Sequence, residues 1–220
     1  MSTEPARGRF ITLEGGEGAG KSTQARRLAS FLEQRGLDVV MTREPGGSPG
    51  AEIMRHVLLS GGAEPFGPEA ETMLFAAARR DHLAVTIKPA LARGAWVICD
   101  RFADSTRVYQ GHAGKVPLSF IQALERVTVG EDRPDLTLIL DLPVKVGLAR
   151  VASRGEATDR FEKEGLAFHN KLRAGFKAIA RAEPERCRLI DAAAEADVVA
   201  ESIRKAVTEH FGLAPRLVAP

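Results

Sequence analysis

The chain has 220 residues, 44% hydrophobic and 27% charged, with a formal net charge of +2 and a pI near 8.7. That length suits one α/β domain with a full core, and near-neutral charge gives no electrostatic support to a general role on nucleic acid or at a membrane surface, although small anions are not repelled. Cys99 and Cys187 are expected to end buried strands as core thiols, the five histidines lack zinc-ligand spacing, and no signal peptide or membrane-spanning run is expected, which together point to a cytoplasmic protein.

Residues 1–8 are polar, with Pro5 and Gly8, and are expected to be a flexible lead into one domain over 9–212, followed by a frayed tail over 213–220. Five short β-rich runs, Phe10 to Leu13, Val39 to Thr42, Trp96 to Cys99, Leu136 to Leu142 and Arg188 to Ile190, alternate with helical patterning. That alternation predicts an α/β fold with a five-stranded parallel sheet and helices on both faces. Ligands in such sheets sit at the carboxyl ends of the strands, which here read Glu14-Gly15, Arg43-Glu44, Asp100-Arg101, Asp141 and Asp191.

The first strand runs into Gly15-Gly16-Glu17-Gly18-Ala19-Gly20-Lys21-Ser22-Thr23, a Gly-x-x-x-x-Gly-Lys-Ser phosphate-binding loop in its proper strand-to-helix setting. Glycines let successive N–H groups converge on an anion, and the positive end of the following helix adds to the same point. Lys21 is expected to reach the β/γ-phosphates of a nucleotide and the Ser22 hydroxyl to hold Mg²⁺.

After the second strand, Arg43-Glu44-Pro45-Gly46-Gly47 forms a tight loop with a charged pair facing the phosphate edge, and Ser48-Pro49 is a good cap for the next helix. Arg55, one turn on, reads equally as a solvated charge or a site residue. A long helical stretch over 67–92 carries Phe75 and Arg79 on one face, where a ring and a guanidinium could recognise a flat base or serve only as a core ring and a surface charge. His82 reads as a packing or capping residue. Asp100 is placed as a metal or metal-water ligand and Arg101 to hold a phosphate, while Ser105, Thr106, Tyr109 and Gln110 offer donors and acceptors for a base and sugar. Between two later helices, Arg154-Gly155-Glu156-Ala157-Thr158-Asp159-Arg160-Phe161-Glu162 reads as a mobile lid over about 153–162, or as a simple connecting loop.

In this order the stretches resemble those of the bacterial thymidylate kinases, in the P-loop nucleoside monophosphate kinase group, from about residue 9 to 191. The phosphate loop alone is widely shared; Arg43-Glu44-Pro45-Gly46-Gly47 and Asp100-Arg101-Phe102 through Tyr109-Gln110-Gly111 are the specific matches. The resemblance implies the three-layer P-loop kinase fold and transfer of the ATP γ-phosphoryl group to dTMP with Mg²⁺. It implies that Phe75 stacks on thymine, Arg79 bonds its O4 edge, and Thr106 and Gln110 complete base recognition. Arg55 and Arg101 hold the acceptor phosphate, Tyr109 crowds the sugar 2′ position, and Glu17 lies near the 3′-hydroxyl, with Glu44 and Ser105 in the same site. The phosphate loop carries no arginine, so the catalytic one is expected in the lid, at Arg160 or Arg154. Arg107 and Val108 occupy positions where family members often differ, with Ala common at the latter, and only a packing change is expected there; family members are commonly homodimers. The remaining alternatives are a kinase of another small phosphate acceptor and a nucleotide switch. The nearest stretch to a guanine-reading motif, Asn170-Lys171-Leu172-Arg173, lacks the Asp that motif needs.

Overall fold

The computed structural model describes residues 6–153, 160, 161 and 163–214. Its five strands are β1 (Phe10–Gly15), β2 (Val39–Arg43), β3 (Trp96–Asp100), β4 (Leu136–Asp141) and β5 (Cys187–Asp191). They form one sheet in the order β2-β3-β1-β4-β5, and every neighbouring pair is parallel. Cys187 therefore opens β5 instead of ending a strand. Both cysteines are free and buried, and burial pushes both thiols above their usual range.

The alternation of side chains along the strands divides the core. Ile11 and Leu13 of β1, Trp96 and Ile98 of β3 and Leu136, Leu138 and Leu140 of β4 face one side. There they meet Leu28 and Leu32 of α1 (Lys21–Glu33) and Ile203 and Val207 of α9 (Ala196–Phe211). The intervening residues face the other way: Phe10, Val97 and Cys99 pack with Phe102 and with the long helical run after β2, and Ile139 with Leu172 and Phe176 of α8 (Leu166–Ala182). Two helical layers thus enclose the sheet. Each large side chain so buried contributes about 1.5–3 kcal/mol.

The long run is α3 (Pro68–His82), a π-helical turn over Leu83–Ile87 and α4 (Lys88–Ala92). A second π-helical turn, Arg107–His112, extends α5 (Ala103–Thr106) after β3. The remaining helices are α2 (Pro49–Leu59), α6 (Leu118–Thr128) and α7 (Val144–Ala152). Ser48 does precede α2, but its hydroxyl donates to Asp81 Oδ2 at 2.7 Å and the Ala51 N–H donates to the same oxygen at 3.1 Å. A carboxylate from α3 therefore caps α2, in place of the Ser48 side chain. No helix is long and apolar enough to cross a membrane among the described residues.

Candidate functional site

The phosphate loop is shaped by backbone that only glycine fits. Gly15 has φ 139° and a Cβ there would lie 2.5 Å from the Leu140 carbonyl oxygen; Gly18 has φ 68° and a Cβ would lie 2.2 Å from that of Gly147. α1 begins without a side-chain cap, from Gly20 in the left-handed conformation, so its first N–H groups are left to a ligand. Lys21 is buried, and its Nζ donates to the carbonyls of Gly15 at 3.2 Å and Gly16 at 2.9 Å. Burial and the nearby Arg101 charge draw its pKa below the ordinary value.

At the end of β3, Asp100 Oδ2 accepts from Ser22 Oγ at 2.5 Å. Two hard oxygen donors at the mouth of the loop fit Mg²⁺, which keeps waters and phosphate oxygens in its shell. No group of three or more His, Cys, Asp or Glu side chains suited to a metal occurs among the described residues. Arg101 follows with φ 71°, a strained conformation for a residue with a Cβ. Its N–H donates to the Leu13 carbonyl at 3.0 Å and its carbonyl accepts from Cys99 Sγ at 2.9 Å. Its guanidinium lies over the Tyr109 ring, 4.9 Å from the centroid, and donates to Glu17 Oε1 at 2.7 Å. The Tyr109 hydroxyl donates to the same oxygen at 2.5 Å. Burial alone would raise the Glu17 pKa, but Arg101, Lys21 and the Tyr109 hydrogen bond outweigh it and hold the carboxyl down at about 2.

Glu14, which the sequence offered only as a strand end, is fully buried behind this turn. Its Oε1 accepts from the N–H of Phe102 at 2.8 Å and of Ser105 at 3.3 Å, and its Oε2 from Ser105 Oγ at 2.6 Å. Burial, with the negative charge of Asp104, raises its pKa to about 7.

Glu17, Ser22, Glu44, Arg55, Phe75, Arg79, Asp100, Arg101, Ser105, Thr106, Tyr109 and Gln110 all line one cavity that opens to solvent. The structure thus gathers all ten predicted substrate residues and both predicted metal ligands at one place. Arg55 Nη1 donates to the Pro45 carbonyl at 2.6 Å, and Arg43 pairs with Glu52 at 3.1 Å. Both oxygens of Glu44 serve neighbouring side chains, Arg79 Nε at 2.7 Å and His82 Nδ1 at 3.1 Å, so this carboxylate acts within the wall of the cavity. Phe161, to which the sequence attached no role, also lines the cavity; its ring stands edge-on to Tyr109, 5.5 Å between centroids. Arg160 pairs with Glu71 at 2.5 Å and Glu64 at 3.1 Å. Arg154 and most of the expected lid, residues 154–159 and 162, lie outside the described residues. Arg107 is more than a packing change, since it pairs with Asp104 at 3.0 Å and Glu183 at 2.6 Å. Asp141 and Asp191 hold structure: Asp141 accepts from Arg173 Nε at 2.6 Å, and Asp191 Oδ1 from the Ala193 N–H at 2.9 Å.

The family model for thymidylate kinase matches residues 13–203. The chain belongs to the thymidylate kinase family. It is similar to the thymidylate kinase of Bradyrhizobium sp. (strain ORS 278), 59% identical over 94% of this chain and 92% of the relative. It is similar also to that of Caulobacter vibrioides, 58% identical over 94% of this chain and 99% of the relative. Among solved structures, the thymidylate kinase of Ehrlichia chaffeensis matches with a TM-score of 0.73 and 33% identity, covering 92% of this chain and 99% of its own. The thymidylate kinase fold, a parallel five-stranded sheet with a phosphate loop after its central strand, is therefore the fold of this chain.

Proposed function

We propose that the chain transfers the γ-phosphoryl group of ATP to dTMP, giving dTDP and ADP, within one kinase domain over residues 9–212. Family membership supports the reaction class, and the cavity supports the acceptor. Phosphate-loop, cationic and aromatic residues line one space, Ser22, Asp100 and Arg101 together with Phe75, Arg79, Thr106 and Gln110. A nucleotide has one charged and one flat end, and this lining offers groups suited to both.

Phe75 stacks on thymine, Arg79 donates to its O4 edge, and Thr106 and Gln110 complete base recognition. Tyr109 crowds the 2′ position of the sugar while Glu17 receives the 3′-hydroxyl. Arg55 and Arg101 hold the acceptor phosphate in line with the donor. A phosphate monoester has its second pKa at about 6, so at neutral pH the acceptor oxygen is already an anionic nucleophile and needs no side-chain base. The work of the protein is positioning and charge neutralisation. The loop N–H groups of residues 15–23 and Lys21 hold the ATP phosphates, and Arg160, with Arg154 of the same segment, adds positive charge. Ser22 and Asp100 would hold Mg²⁺, which neutralises phosphate charge when bound.

Cytoplasmic location and a homodimer complete the reading. In support of the second, Ile53 of α2, Met73 of α3 and Val127 of α6, on helices that pack in series, expose apolar surface. The reaction is tested by following dTMP-dependent ADP release. The reading requires turnover by the native chain and its loss in Lys21→Ala with an unchanged circular dichroism spectrum; a Lys21→Ala variant with near-native turnover contradicts it.

A further inference from the structure

His82, the last residue of α3, is wholly buried. Its position, 38 residues from Glu44 and 40 from Thr42, gave no sign of a partner in the sequence. In the structure its Nδ1 lies 3.1 Å from Glu44 Oε1 and its Nε2 lies 2.6 Å from Thr42 Oγ1. An ionised carboxylate can only accept, so Nδ1 carries a proton and donates to Glu44, and the Thr42 hydroxyl bonds the other nitrogen. The second Glu44 oxygen accepts from Arg79 Nε at 2.7 Å. Arg79 Nη2 then donates to the Phe102 carbonyl at 3.2 Å and to Thr106 Oγ1 at 3.1 Å. The result is one chain of hydrogen bonds, Thr42 to His82 to Glu44 to Arg79, that ends at the cavity wall.

The loop between β2 and α2 is built onto this chain. A Cβ at Gly47, where φ is 85°, would lie 2.3 Å from Thr42 Oγ1 and 2.5 Å from His82 Nε2. The Gly47 carbonyl is held from the other side by Thr86 Oγ1 at 2.7 Å. Arg43-Glu44-Pro45-Gly46-Gly47 therefore closes over the imidazole with Glu44 pointing at Arg79. Arg79 is 5% exposed, and a long side chain with several rotatable bonds reads a base edge only if its plane is fixed.

We infer that His82 is a positioning residue for base recognition, acting on Arg79 through Glu44. This rests on the proposed role of Arg79 at the thymine edge, and the test separates the two. The Asn side-chain nitrogen can take the place of Nδ1, and the Gln nitrogen that of Nε2. His82→Asn keeps a donor to Glu44 and loses the Thr42 bond; His82→Gln does the reverse. Steady-state kinetics are measured for both, together with thermal midpoints. His82→Gln raises the KM for dTMP about tenfold, the loss expected for one hydrogen bond to a charged group, while His82→Asn stays within about threefold of the native value. The KM for ATP is unchanged in both. A role in packing alone would move both variants together, so equal dTMP KM values in the two overturn the inference. Arg79→Ala is the control on the underlying reading: if it leaves the dTMP KM at the native value, Arg79 is not a base reader, whatever His82 does. Should neither histidine variant fold, nitrogen NMR of the native protein decides. A proton on Nδ1 of His82 upholds the inference, and an Nε2–H tautomer overturns it.

Discussion

Arg101 donates to Glu17 across 2.7 Å, which ties the end of β3 to the variable middle of the phosphate loop. The pair joins the part of the site assigned to the acceptor to the part assigned to the donor. It also explains why a carboxylate is stable beside the proposed phosphate site: two cations and a phenol hold Glu17 ionised with its pKa at about 2, against an ordinary 4.5. A folded-state pKa lowered by that much is worth about 3 kcal/mol of stability above pH 4.5. The contribution is lost as pH falls from 4.5 through about 2. In denaturant titrations, native protein and Glu17→Gln should differ by roughly that amount at pH 7, and the difference should shrink towards pH 2. A difference independent of pH would show that the Glu17 charge is not what stabilises this turn.

Glu14 behaves with the opposite sign. Its pKa is raised to about 7, so between pH 4.5 and 7 the folded state keeps a proton that the unfolded chain has released. Stability from this group is fully present below pH 4.5 and is lost as pH rises through about 7. The native protein should therefore lose about 3 kcal/mol relative to Glu14→Gln between pH 4.5 and pH 8. The measurement is the same titration in buffers across that range. Parallel curves for the two proteins would remove Glu14 as the source of the slope.

Asp100 and Ser22 form the pair suited to Mg²⁺, and they touch each other at 2.5 Å. Asp100→Asn keeps the volume but removes the negative charge. The Mg²⁺ concentration giving half-maximal activity should rise by about 10- to 100-fold, as for other losses that disturb a metal site. An unchanged Mg²⁺ curve would place the ion elsewhere.

Arg160 supplies the catalytic charge in the proposed reaction, and in this structure it pairs with Glu71 and Glu64. The two contacts differ. The Glu71 side chain is 7% exposed, that of Glu64 60%. An exposed ion pair is worth at most about 1 kcal/mol, so Glu64→Ala should leave both kcat and the thermal midpoint near native. Arg160→Ala should lower kcat by about 100-fold or more with the fold intact. Near-native turnover in Arg160→Ala would take the catalytic charge away from this residue.

What the sequence made legible was whatever repeats or sits close along the chain. All five strands, the helix over 67–92 and the phosphate loop follow from periodicity and local spacing, and strand limits shifted by only one or two residues. The missed features depend on partners far apart in sequence. Asp81 caps α2 from 33 residues away from Ser48, and Glu14 bonds Ser105 across 91 residues. His82 offered no local clue, because its two partners stand on a strand end that only the folded sheet brings to α3. The two π-helical turns belong to the same class, since one extra residue in a turn leaves the apolar pattern nearly intact. The residues named by the family resemblance as substrate contacts line one cavity. Asp141 and Asp191, read only as charged strand ends, instead bond Arg173 and the Ala193 N–H, and spacing along the chain does not distinguish the two cases.

The central claim is that dTMP is the acceptor. It is tested most directly by ADP release with ATP and Mg²⁺ across a panel of dTMP, dUMP, dCMP, dAMP and dGMP. The account predicts the highest kcat/KM with dTMP, and preference for any other acceptor would contradict it.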